Sequence, residues 1–213
     1  METPTTDLPV LTPAEARILG CLAEKKELTP DVYPLTLNAA LAAANQKTAR
    51  DPVMALEPGD VRRALGLLQQ KGLVRQVFAS RVERYEQQLS QRFSLTRGQT
   101  AIVTLLMLRG PQTAHELLAR SERMARYEAI EALNADLDLL IGRKNPLVQL
   151  VERGPGQRED RYVHLLSGPV DVSAIATRQS VAAPSSALEA RVEALEAEMA
   201  ELRAQLAALA QRG

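Results

Sequence analysis

Arg62, Arg63, Gln69 and Gln70 fall in the stretch "DVRRALGLLQQKGLV", where Val61, Leu65 and Leu68 recur at helical spacing. If those three apolar side chains face a core, the two arginines and two glutamines lie toward water. Arg pairs with guanine edges and Gln with adenine edges in a DNA major groove, so this face has groove-reading chemistry. Lys71, Arg75, Arg81 and Arg84 follow at the helix end and in the next segment, where they would meet phosphates. Upstream, "NQKTARDP" (45–52) supplies Lys47 and Arg50 as secondary phosphate contacts, offset by Asp51. That stretch is read first as a polar connection whose side chains satisfy its own backbone. A binding loop is the rival reading.

Other chemistries find less support. His115 and His164 are isolated, and Cys21 sits on the inner side of a helical pattern. No zinc-ligand spacing, phosphate-binding loop or dinucleotide fingerprint is present. Glu24-Lys25 reads as a surface pair. Arg158, Glu159, Arg161 and Tyr162 read as a salt-bridge lattice, not a catalytic cluster. The expectation is a non-enzymatic chain with no cofactor and no metal.

The elements that carry these residues occur twice. "LTPAEARILGCL" (11–22) aligns with "LTRGQTAIVTLL" (95–106), and Leu11, Thr12, Ile18 and Leu22 fall on Leu95, Thr96, Ile102 and Leu106. Thr29 falls on Thr113 at the same offset. Val61, Leu65 and Leu68 share their spacing with Leu133, Leu137 and Leu140, and "LV" recurs at 73–74 and 147–148. Each copy opens with a capping box, Thr12-x-x-Glu15 or Thr96-x-x-Gln99, and Pro13 suits a first helical position. A short second helix is expected at about 35–44 and 114–120. A third is expected at about 58–71 and 127–142, the first stopped by Gly72. Two hairpins follow, "LVRQVF" with "RVERYEQQ" and "LVQLVE" with "RYVHLL", the second turning through Gly154-Pro155-Gly156.

Three helices closed by a two-stranded hairpin make a winged-helix unit, in which helices two and three are the helix-turn-helix. The expected class is therefore mainly α with small β-hairpins (α+β), as tandem winged-helix domains. The boundaries are a disordered leader at 1–10, domain 1 at 11–90, domain 2 at 91–167, a flexible linker at 168–186 and a coiled-coil helix at 187–211. In that last segment Leu188, Val192, Leu195, Met199, Leu202, Leu206 and Leu209 form a heptad seam. A parallel dimer would place Arg191 against Glu196 and Glu198 against Arg203. A single amphipathic helix docked on its own domain is the alternative.

Bulk properties bound the rest. The 213 residues include 46% hydrophobic but only 3% aromatic residues and no Trp, so the cores must be aliphatic. No apolar run approaches the roughly 20 residues needed to span a bilayer. With one cysteine and no signal-peptide pattern, a cytoplasmic location is expected. Net charge is zero, which counts against a dedicated nucleic-acid binder. The copies also differ: the third helix of copy two should expose Glu128, Glu131, Asp136 and Asp138, which phosphates would repel.

"EKKELTPDVYPLTLNAALAAANQKTARDPVM", "LMLRGPQTAHELLARS" and "GQREDRYVHLL" closely resemble the YceH family of uncharacterised bacterial proteins, over roughly residues 11 to 166. The resemblance implies a tandem winged-helix fold and brings no activity or site residues. Two readings of function remain. One is a dimer that binds double-stranded DNA through copy one, as a transcriptional regulator. The other is an interaction module that presents its winged-helix surfaces to an unidentified protein partner.

Overall fold

The computed structural model describes residues 8–79, 82–154 and 158–170. The leader before residue 8, Arg81, and the linker and heptad segment beyond residue 170 lie outside the described residues. The seam Leu188, Val192, Leu195, Met199, Leu202, Leu206 and Leu209 therefore belongs to the sequence reading alone.

Among the described residues the protein is α+β, with seven α-helices and two antiparallel hairpins. The first repeat runs α1 (Pro13–Leu28), α2 (Leu37–Ala44), α3 (Pro58–Gln70), β1 (Val74–Ala79) and β2 (Val82–Gln87). A short helix that the sequence did not announce, α4 (Leu89–Phe93), ends at Ser94 in a left-handed conformation. The second repeat runs α5 (Arg97–Arg109), α6 (Ala114–Ser121), α7 (Ile130–Ile141), β3 (Val148–Val151) and β4 (Arg161–His164).

The helix starts follow their capping residues. The Thr12 hydroxyl accepts from the Glu15 amide at 3.3 Å, and the Glu15 carboxylate accepts from the Thr12 amide at 2.8 Å. Thr96 with Gln99 and Thr113 with Glu116 form the same reciprocal pair. In α3, Pro58 takes the first position, and Val61, Ala64, Leu65 and Leu68 turn one stripe inward.

The repeats also agree in backbone pairing. Just before α2, Leu35 exchanges two hydrogen bonds with Tyr85 of β2, at 3.1 and 2.8 Å. Just before α6, Gln112 does the same with Tyr162 of β4, at 3.1 and 2.7 Å. Each hairpin is thus joined by a single antiparallel bridge residue from the chain leading into the second helix.

The sequence reading treats the copies as two domains; in the structure they share one continuous hydrophobic core. The joint is α1 against α5. Ten consecutive residues are buried in each, Glu15–Glu24 and Gln99–Leu108, so both helices are covered on every side. Gly20 marks the closest approach: a Cβ there would lie 2.9 Å from Leu108 Cδ2. The Leu11 amide donates to Leu166 O at 2.7 Å, and the Asp51 amide to Leu108 O at 2.9 Å, which tie the copies further.

Candidate nucleic-acid interface

On α3 the inward stripe leaves Arg62, Arg63 and Gln70 exposed. Arg62 borders a shallow hollow formed with Thr36, Leu37 and Asn38 at the start of α2 and Val82 and Glu83 of β2. Neither Arg62 nor Arg63 makes an ion pair or hydrogen bond among the described residues. Gln69 is half-buried and donates to Gln76 Oε1 at 3.3 Å.

The structure gives four of the expected phosphate contacts other work. Lys71 turns back toward α1, where its Nζ lies 2.5 Å from Glu15 Oε1 and 2.8 Å from Val10 O. Burial raises the Glu15 pKa, but the bonds from Lys71 and Thr12 outweigh it and hold the carboxyl below its usual value. Arg84 reaches across to Pro34 O at 2.8 Å, which fastens β2 to the chain entering α2. Arg75 is exposed but pairs with Glu86, its cross-strand partner. Arg81 lies outside the described residues.

Arg50 departs furthest from expectation. It is 5% exposed, and its carboxylate partner Glu24 is 8% exposed. Its Nη1 and Nη2 meet Glu24 Oε1 and Oε2 at 3.0 and 2.5 Å. The remaining donors go to Ala43 O, Ala49 O and Gln46 Oε1. All five N–H groups of the guanidinium are thereby used, and none is left for a phosphate. Glu24-Lys25, expected as a surface pair, is in fact a buried carboxylate with Lys25 at 3.8 Å on its outer side.

Sequence reading also missed Arg17, which is 2% exposed and points from α1 under the 45–56 connection. It donates to Ala44 O at 3.2 Å and Pro52 O at 2.7 Å. Asn45 closes the connection by bonding both Leu56 N and Leu56 O at 2.8 Å. "NQKTARDP" is a clamped polar bridge, with Lys47 left exposed at its outer edge. The clue available in sequence was a basic residue and an acidic one, Arg17 and Glu24, flanking the apolar run 18–23 of α1.

The second repeat presents a different surface. On α7, Leu133, Leu137 and Leu140 are buried while Glu131 and Asp138 are exposed, and Glu128 is exposed just before it. Asp136, expected in water, is half-buried and accepts from Tyr127 Oη at 2.8 Å and Gln99 Nε2 at 2.9 Å. Leu139 stands 62% exposed on the same helix. Burial pushes the Cys21 thiol up to about 11 and the His164 imidazole down to about 4. His115 is exposed beside Glu159 at 3.1 Å. No helix among the described residues is long and apolar enough to cross a membrane.

Residues 11–157 match the family model "Protein of unknown function, DUF480". The chain belongs to this family. A DUF480 relative from Mesorhizobium japonicum, UPF0502 protein mll4256, is 74% identical over 187 residues, covering 87% of this chain and 90% of the relative. UPF0502 protein xcc-b100_4348 from Xanthomonas campestris is 53% identical over 197 residues, covering 89% and 88%. UPF0502 protein Smlt0097 from Stenotrophomonas maltophilia is 51% identical over 174 residues, covering 82% and 79%. The DUF480 family consists of uncharacterised bacterial proteins, in agreement with the resemblance drawn from the sequence.

Proposed function

We propose that this DUF480 chain is a tandem winged-helix protein that binds double-stranded DNA through its first repeat and acts as a cytoplasmic regulator. The winged-helix reading is supported by the order of three helices and hairpin in each copy, and by the bridge residue, Leu35 or Gln112, that pairs with each hairpin before the second helix. The step from that fold to DNA is an analogy. The observation that carries it is the pair Arg62 and Arg63, exposed on α3 with no acidic partner among the described residues, beside exposed Gln70. Two such units joined by the heptad segment would favour a two-fold symmetric site.

Phosphate contacts release counterions, so binding to duplex DNA should weaken steeply as salt rises. Fluorescence anisotropy with a labelled duplex across a salt series tests this, and salt-independent or absent binding would reject it. A second reading has its own support. Acidic α7 with exposed Leu139, together with the internal engagement of Lys71, Arg84 and Arg50, suits a protein partner better than a polyanion. Pull-down with and without nuclease separates the two, because a DNA-mediated complex disperses on digestion and a direct protein complex persists.

A further inference from the structure

Where the two repeats meet, the ends of α1, α5 and α6 and the clamped 45–56 connection surround a cleft of about 360 Å³. Its ionisable lining is almost entirely basic: Lys25, Lys47, Arg109, Arg120 and Arg123. The one carboxylate in the wall is Glu24, and both of its oxygens are held from behind by Arg50. Arg120 is partly satisfied, with Glu116 at 3.5 Å and Gln112 Oε1 at 2.8 Å. Lys47, Arg109 and Arg123 have no ion pair or hydrogen-bond partner among the described residues. Arg109 is half-buried, and burial together with the charge of Arg120 lowers its pKa. Leu28, Leu105 and Met124 supply an apolar floor.

Cations gathered in one half-enclosed space create a positive potential that favours an anion there. Guanidinium groups match phosphate oxygens in pairs, while lysine adds a mobile point charge. The cleft has room for a small molecule, with charged walls above a small apolar floor. We propose that the junction between the repeats is a binding site for a small phosphorylated organic molecule. Its phosphate is held by Lys47, Arg109 and Arg123, and its apolar body rests on Leu105 and Met124. Because the walls come from both copies, the ligand bridges them. The proposal does not rest on the DNA reading, whose residues Arg62 and Arg63 are not part of this lining.

Isothermal titration of the full chain with AMP, adenosine and inorganic pyrophosphate tests it. AMP is expected to saturate one site per chain, pyrophosphate to compete for it, and adenosine to fail. The double change Lys47→Gln with Arg123→Gln removes two exposed cations, and its melting temperature reports that the fold is intact. It should weaken AMP by about tenfold or more, as expected for lost charge-assisted hydrogen bonds. Arg109→Gln should do the same, and Glu131→Gln on α7 should change nothing. No saturation by AMP or pyrophosphate at millimolar concentrations would overturn the proposal. So would equal affinity in the double variant. Loss of duplex DNA binding in that variant without any AMP binding would assign the cations to a nucleic-acid backbone instead.

Discussion

The first helices of the two repeats occupy the same place and are buried to the same extent, yet they are made differently. At the offset that aligns the copies, Arg17 and Glu24 of α1 stand where α5 has Ala101 and Leu108. The charges of α1 serve the connection between α2 and α3: Arg17 holds Ala44 O and Pro52 O, and Glu24 holds Arg50. In the second repeat the corresponding connection is pinned by buried Met124 and Ala125, with Tyr127 bonded to Asp136. One scaffold therefore accepts a polar or an apolar pin. The choice decides whether charged side chains beside the connection between α2 and α3 are spent inside.

The largest effect should come from breaking the polar pin. Glu24→Ala leaves the Arg50 guanidinium buried without its counter-charge, which should cost about 3–5 kcal/mol. Urea denaturation measures it. Replacing both partners by apolar residues, Glu24→Leu with Arg50→Met, imitates the second repeat and should recover most of that loss. A double variant as unstable as the single one would show that the pin cannot be exchanged.

Next is the joint between the copies. Gly20→Val places a branched side chain against Leu108, where a single added carbon already lies 2.9 Å away. The expected cost is about 1–3 kcal/mol. The transition should stay single, because the core is continuous. Two separated unfolding transitions in the parent protein would contradict a shared core.

A smaller contrast lies in the hairpins. Gln87 and His164 hold the same register, opposite Val74 and Val148. Gln87 Oε1 accepts from the Leu89 amide at 2.6 Å, whereas His164 Nδ1 is enclosed without a partner. Burial takes the His164 pKa from 6.5 down to about 4, so the unfolded chain binds the extra proton first. Stability should therefore be complete above pH 6.5 and fall as pH drops from 6.5 toward about 4. His164→Gln should flatten the upper part of that slope in thermal melts. The paired Glu15 adds its own loss only below its ordinary value of 4.5. Smallest of all, Asp138→Asn on the exposed face of α7 should change stability by less than about 0.5 kcal/mol.

Much of this architecture is legible from residue order. The capping threonines, the inward leucines of α3 and α7, and both hairpins stand close to where periodicity puts them. The α3 face was readable for the same reason: inner and outer positions follow from a period of 3.6. The α1–α5 joint was not, because periodicity within one helix does not say how many neighbours it has. Arg50, Lys71 and Arg84 illustrate a second limit. A cation in a polar stretch has the same local signature whether it meets solvent or a carboxylate from a distant helix, and only the fold brings Glu24, Glu15 or Pro34 O to it. The basic cleft was hidden likewise, since its cations come from four separate segments.

The functional account rests on the outward face of α3 and its difference from α7. In the alignment of the third helices, Arg62 and Arg63 correspond to Asn134 and Ala135. A gel-shift titration of duplex DNA with the full chain carrying Arg62→Asn and Arg63→Ala measures that difference directly. The account predicts that binding is lost while the melting temperature holds. Binding of unchanged strength and salt dependence would contradict it.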